Sequence, residues 1–344
     1  MQPTNGISGL WASEGANLSQ AVETDFSEFD AIATYFKDLT AQGGVALGIG
    51  DDAALLNTSA DHQLVVATDT IVESVHFPPQ ATAEQIATRA LCVNLSDMAA
   101  MGAKPRWFTL ALTLPSAKAN AQWLEGFSRG LAAVAGQYDI ALIGGDTTAG
   151  PMTISLTLLA EVPSSDALQR SGAKAGDALY VTGTLGDGAA ALEMINSRDS
   201  NHSERLLTRF YQPKPQVDAG IKLRTIASAC IDISDGLIAD LGHLCQASGV
   251  RSNIQTDLLP IHRELHQLWP QRALEWALSG GDDYQLCFTV PQPYQQTVDQ
   301  WIEAGDLDAT LVGQILAPDN TNNLVIVDGD ISTDFKRGFD HFSH

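Results

Sequence analysis

Aspartate recurs along this chain at the ends of short apolar runs, beside glycine turns. Asp51 and Asp52 follow Gly48-Ile49-Gly50, Asp69 closes the run 65–68, and Asp146 follows Ile143-Gly144-Gly145. Asp232 and Asp235 end the run 230–233, and Asp282 and Asp283 follow Ser279-Gly280-Gly281. Asp97 differs, lying within a helical pattern and crowded by Leu95, Met98 and Ala99. A single Gly-Asp is an ordinary turn, but turn chemistry does not require aspartate at strand end after strand end in both halves. No Lys or Arg lies inside these motifs. Two carboxylates at 4 Å repel by about 4 kcal/mol at an effective dielectric of 20. A fold that gathers them must therefore gather cations too.

Hard divalent ions prefer carboxylate oxygen, so Mg2+ is the expected guest. It shares its coordination with water and phosphate, which points to a phosphate-bearing ligand. The balance of 19 Lys+Arg against 41 Asp+Glu, a formal charge of −22, argues against nucleic-acid and anionic-membrane partners. The four cysteines form no CxxC pair and no zinc spacing, the pattern of reduced cytoplasmic thiols. No signal peptide or membrane-length apolar run is visible, so a cytoplasmic protein is expected.

The 344 residues suggest about two domains. Residues 1–24 read as a polar tail. Ser27 is placed to cap a helix carrying Phe29, Ile32, Ala33, Phe36 and Leu39, and Thr82 with Gln85 makes a capping box for a second. Alternation at Phe108, Leu110, Leu112, Leu114 and at Ile154, Leu156, Leu158 predicts half-buried strands. A break falls near 163–166. Beyond it come strands at 178–182, 230–233, 284–290, 311–315 and 324–327, and helices at 187–195, 203–211, 217–228 and 237–248. The mixture predicts two α+β or α/β domains, 25–162 and 163–344.

Standard nucleotide motifs fail. There is no P-loop and no protein-kinase motif set. Gly183-Thr184-Leu185-Gly186-Asp187-Gly188 joins a strand to a helix; its amides either cradle a phosphate or merely form a tight turn. Arg170, in Arg-Ser-Gly, is either a phosphate clamp or a surface arginine, and His76 precedes Phe77-Pro78-Pro79.

Taken together, 48–56 (Gly-Ile-Gly-Asp-Asp-Ala-Ala-Leu-Leu), 67–70 (Ala-Thr-Asp-Thr), His76-Phe77, and 93–103 (Val-Asn-Leu-Ser-Asp-Met-Ala-Ala-Met-Gly-Ala) resemble the thiamine-monophosphate kinase family. So do 142–148 (Leu-Ile-Gly-Gly-Asp-Thr-Thr), 170–174 (Arg-Ser-Gly-Ala-Lys), 231–237 (Ile-Asp-Ile-Ser-Asp-Gly-Leu) and 277–284 (Ala-Leu-Ser-Gly-Gly-Asp-Asp-Tyr). The resemblance implies an aminoimidazole-ribonucleotide-synthetase-like fold, with an N-terminal domain that pairs into a homodimer and a C-terminal domain beside it. It implies magnesium-dependent phosphorylation of thiamine phosphate to thiamine diphosphate by ATP. By motif, the metal ligands would be Asp52, Thr68, Asp69, Asp97, Asp146, Asp232 and Asp235. ATP would meet Gly145, Asp146, Arg170 and Ser234, and thiamine phosphate would meet His76, Asp282 and Phe339. Asp69, Asp146 and Arg170 would carry catalysis.

Two positions depart from the family pattern. Its Gly-Gly-Glu-Asp-Tyr reads Gly-Gly-Asp-Asp-Tyr here, one methylene shorter, so a bridging water is expected. Phe339 stacks but donates no hydrogen bond. An acceptor phosphate is already ionised at neutral pH, so the expected chemistry is direct transfer with no general base and no phospho-enzyme. The alternatives are a selenophosphate-synthetase-like or aminoimidazole-ribonucleotide-synthetase-like enzyme, or a non-catalytic Mg–nucleotide-binding regulator. The first would want a reactive cysteine early in the chain, and none precedes Cys92.

Overall fold

The computed structural model describes residues 32–40, 44–49, 53–197, 203–319 and 323–331. The helix expected from Ser27 is described only from Ile32, as a π-turn Ile32–Phe36 running into a 3-10 turn Lys37–Thr40. Ser27, Phe29, Asp51, Asp52, Phe339 and the tail lie outside the described residues.

The first half is built on a four-stranded sheet of β3 (His62–Val72), β4 (Lys104–Leu114), β5 (Ala141–Ala149) and β6 (Thr153–Pro163), in the order β3-β6-β4-β5. Only the β4–β5 pair is parallel. One face of this sheet is covered by α1 (Ala83–Ala100) and α2 (Ala121–Tyr138), which bury Leu110, Leu112, Ile154, Leu156 and Leu158. The other face is covered only in part, by the small hairpin β1 (Val45–Leu47) and β2 (Leu55–Leu56), whose Val45 and Leu56 pack near Trp107. Leu64 and Val66 stay 48% and 55% exposed there.

α1 starts where the capping box predicts. Gln85 N donates to Thr82 Oγ1 at 3.2 Å, and Thr82 N donates to Gln85 Oε1 at 2.9 Å. This helix is buried on nearly every side, as a helix must be when it lies between two layers. It packs on β3 and β6 of its own half, and on α5 (Val217–Leu223) and β8 (Ala229–Ile233) of the second. The junction between the halves therefore runs along α1.

The second half is a seven-stranded sheet. It comprises β8 with β7 (Ala178–Thr182), β9 (Arg251–Ile254), β10 (Gln285–Val290), β11 (Ala309–Leu316), β12 (Val325–Val327) and β13 (Asp330–Ile331). The order is β13-β12-β9-β11-β7-β10-β8, antiparallel except at β9–β12. β7, β10 and the edge strand β8, which α1 covers, are buried along their whole length. One face carries α6 (Leu237–Ser248) and α8 (Ala273–Ser279). The other carries α5, α9 (Gln292–Glu303) and the end of α1. α3 (Asp187–Asn196), α4 (Glu204–Tyr211) and the short α7 (Arg263–Leu268) complete the half. Among the described residues no helix is long and apolar enough to cross a membrane.

Candidate active site

A cavity of about 470 Å³ opens at the junction of the halves. The first half contributes Thr68 and Asp69 from β3, His76 from the following loop, and Asp97 from the last turn of α1. The second contributes Asp232 from β8, Ser234 and Asp235 from the turn before α6, and Asp282 from the loop before β10. Eight residues named from sequence thus line one cavity.

Its electrostatics follow from burial. Asp69 is pushed up to about 6, first by burial and then by Asp232. Asp97 rises to about 8 through burial, Asp232 and Asp69, with Arg170 acting against the rise. Burial also raises Asp232, against the hydrogen bond from Ser96 Oγ to its Oδ2 at 2.8 Å. Three carboxylates that disfavour one another's ionisation suit a cation. Among the described residues, however, no three His, Cys, Asp or Glu side chains close on a single point. The donor set therefore fits a hard ion that takes one or two carboxylates and completes its shell with water and ligand oxygens, the habit of Mg2+.

Arg170 is exposed and does not line the cavity, but its charge reaches both Asp97 and Asp232. Gly145 and Asp146 do not line it either. Asp146 stands opposite Ala111, on the face of the first sheet away from α1 and α2, whereas Asp69 stands opposite Leu156 on the helix-covered face. A register shift between Phe108 and Thr109 is the cause. Leu142 pairs with Phe108 and Gly144 with Thr109, so the strand gains a residue and its side chains change faces. Strand-end position alone carries no such information.

The glycine segment 183–188 behaves as a turn rather than a phosphate cradle. Its amides are already engaged: Gly186 N and Gly188 N donate to the two oxygens of Asp283, at 2.7 and 3.1 Å. Asp187, buried, is held below the usual carboxylate range by Arg205, at 2.8 and 3.0 Å, and Thr184, at 2.6 Å, despite its burial. A second set of amides is filled in the same way. The N–H groups of Ser234, Asp235 and Gly236 all donate to Asp240 Oδ2, at 2.9, 3.0 and 3.2 Å. That carboxylate fixes the turn that offers Ser234 and Asp235 to the cavity.

Sequence reasoning missed Arg89 and Tyr284, which also line the cavity. Arg89 lies in the middle of α1 and donates to Asp282 Oδ1 at 2.7 Å. The Tyr284 hydroxyl donates to the same oxygen at 2.8 Å. His76 Nδ1 accepts the Val72 N–H at 3.0 Å, which leaves the proton of a neutral ring on Nε2. Asp283 and Asp240, as fillers of amide nests, were missed as well. Spacing held a signal only for Asp240, four residues after Gly236.

Comparison with known proteins gives a consistent set of likenesses. Residues 50–162 match the model for the AIR synthase related protein, N-terminal domain, and 174–323 match that for its C-terminal domain. The thiamine-monophosphate kinase of Escherichia coli (strain K12) is 45% identical over 322 residues, covering 92% of this chain and 98% of that protein. The crystal structure of thiamine-monophosphate kinase from Stenotrophomonas maltophilia K279a superposes with a TM-score of 0.77 at 44% identity, covering 84% of this chain and 92% of that one. AaThiL complexed with AMPPCP and TMP gives 0.74 at 30% identity, covering 95% of this chain and 100% of that one.

Proposed function

The chain belongs to the thiamine-monophosphate kinase family and is a kinase, and we propose that it transfers the γ-phosphoryl group of ATP directly to the phosphate of thiamine phosphate, giving thiamine diphosphate and ADP. The observation that carries this reading is the cavity in which Asp69, Asp97 and Asp232 meet from both halves with their ionisation suppressed. The relative solved with AMPPCP, an ATP analogue whose terminal link resists transfer, and with TMP supports the choice of substrates.

In this reading the acceptor lies against His76 and Asp282, and against Phe339 beyond the described residues. The nucleotide lies toward Ser234 and Arg170, whose guanidinium makes no ion pair among the described residues. Asp69, Asp97, Asp232 and Asp235, with Asp52 outside the described residues, would hold Mg2+; Thr68 would join them only through its main chain, since its hydroxyl pairs with Thr157 on the other face of the sheet. When bound, Mg2+ supplies the positive charge that lets two phosphate groups approach. The chain's own residues do the rest. Ser234 and Asp235 are fixed by Asp240, and Arg170 meets the charge on the transferred group. An acceptor oxygen attacks the γ-phosphorus as the bond to the β–γ bridging oxygen breaks, with the two oxygens in line. No side chain need remove a proton, since the attacking oxygen is already ionised.

The uncovered face of the first sheet is the surface we assign to a second copy, giving a homodimer. Leu64 and Val66 lie on it beside the paired hydroxyls Thr68–Thr157 and Thr70–Ser155. Asp146, on the same face, and the neighbouring Gly145 would then serve the nucleotide at the dimer junction. The division into a nucleotide-binding and dimerising half, 25–162, and a second half, 163–344, belongs to the same reading. Four buried free thiols, Cys92, Cys230, Cys245 and Cys287, support a reducing, cytoplasmic setting.

The test is ADP formation with and without thiamine phosphate. Production that depends on both substrates supports the kinase. ADP release indifferent to thiamine phosphate, or nucleotide binding with no turnover, favours the other enzymes or the regulator.

A further inference from the structure

Arg89 is 2% exposed and every arm of its guanidinium is engaged. Nε donates to the His76 carbonyl at 3.0 Å, one terminal nitrogen to the Phe210 carbonyl at 2.7 Å, and the other to Asp282 Oδ1 at 2.7 Å. The ring of Phe210 lies against the guanidinium, 4.1 Å from carbon to centroid. A buried charge persists only when it is paired and hydrogen-bonded throughout, so this geometry is fixed. The three partners come from the loop after β3, from α4, and from the loop before β10. Only a planar fork reaches all of them at once.

Asp282 is equally constrained. Its backbone sits at φ +70° and that of Tyr284 at +50°, the left-handed region in which non-glycine residues carry strain. Backbone bonds hold both there, from Asp282 N to the Ser234 carbonyl and from Tyr284 N to the Ile233 carbonyl. Oδ1 of Asp282 takes hydrogen bonds from Arg89 and Tyr284. Oδ2 takes none among the described residues, in a side chain that is 25% exposed at the cavity wall. One oxygen is the anchor and the other is offered.

We propose that Arg89 is a positioning residue for the acceptor. Its guanidinium fixes His76 and Asp282 relative to one another across the two halves, and it turns Asp282 into a carboxylate with a single outward oxygen for a hydrogen-bond donor of the acceptor. This rests on the assignment of His76 and Asp282 to thiamine phosphate. It leaves the nucleotide end untouched, because the charge of Arg89 is committed to Asp282 and not to a phosphate.

Steady-state kinetics with each substrate varied test this in the full-length enzyme and in Arg89→Lys, Tyr284→Phe, Asp282→Asn and the Arg89→Lys/Asp282→Asn double variant. Arg89→Lys is expected to raise KM for thiamine phosphate by about tenfold or more, the worth of a hydrogen bond to a charged group, with KM for ATP within about twofold. The double variant should be no worse than the more impaired single one, since both changes act on one carboxylate. Tyr284→Phe keeps the buried ion pair, and so the fold, and should raise KM for thiamine phosphate alone by about threefold. Equal rises in both KM values, penalties that multiply in the double variant, or a Tyr284→Phe enzyme with unchanged KM for thiamine phosphate would overturn the role of Arg89. A wild-type protein that makes no thiamine diphosphate is a different result, and it removes the kinase reading itself.

Discussion

Ser96, on the buried face of α1, donates from Oγ to Asp232 Oδ2 at 2.8 Å and so ties the helix of one half to the central sheet of the other. This bond favours the charged form of a carboxylate that burial pushes the other way. Ser96→Ala should leave the fold in place but loosen Asp232. The Mg2+ concentration for half-maximal activity is expected to rise about tenfold, the usual cost of losing a group that orients a ligand. A magnesium titration of the initial rate checks it, and an unchanged midpoint would remove Asp232 from the metal site.

Removing one anion from the crowd has opposite effects on activity and stability. Asp69→Asn and Asp97→Asn should each cost about two to three orders of magnitude in kcat/KM. The melting temperature of the metal-free protein should rise by about 2 °C, because mutual repulsion is relieved. Differential scanning fluorimetry beside the rate assay reads both. A variant that stays active, or that melts lower without metal, would contradict the crowding.

The same repulsion sets a pH dependence. Asp69 at about 6 and Asp97 at about 8 titrate above the 3.8 of an ordinary aspartate, so the folded chain holds protons that the unfolded chain has released. Their contribution to stability is complete below about pH 4 and is lost as pH rises through the folded values. Asp240, at about 7, adds to the trend. Asp187, held low by Arg205, acts in the opposite sense only under more acidic conditions. The metal-free protein should melt lower at pH 8 than at pH 5, and excess Mg2+ should restore most of the difference at pH 8. A melting temperature that climbs over this range without metal would contradict the assignment.

Much of this was legible in the chain, for physical reasons. The capping box at Thr82 and Gln85 is a local device, and it starts α1 where it should. The alternation around Leu110 and Leu156 survives because one face of that sheet is covered by helices. The aspartates near β3 and β8 could be read because no counter-charge accompanies them. Arg89 could not, since a lone arginine in a helix ordinarily points to water, and only the long-range approach of Asp282 and Phe210 makes it a buried clamp. Asp146 was placed with the others by its strand-end position, but the extra residue near Ile143 changed its face. Asp283 was counted among the strand-end aspartates without a role, and it serves the turn at 186–188. β9, α7, α8 and α9 went unread; α9 begins at a proline within a polar, glutamine-rich stretch that buries only Val298 fully, so few apolar residues mark it.

The uncovered sheet face gives a further expectation. Val66, 55% exposed, sits within it, and Val66→Glu would set a charge against its counterpart in a symmetric pair. Sedimentation or light scattering should find the wild type as a dimer and this variant as a monomer. A wild type that is monomeric at micromolar concentration would leave that face without its assigned occupant.

Calorimetric titration with AMPPCP, with and without Mg2+, addresses most directly the idea that acidic side chains of both halves hold nucleotide through divalent ions. Binding should be strong with Mg2+, weaker by about a hundredfold or more without it, and equally weak in Asp232→Asn with the metal present. Tight binding of the nucleotide in a chelator, unaffected by Asp232→Asn, would contradict the account.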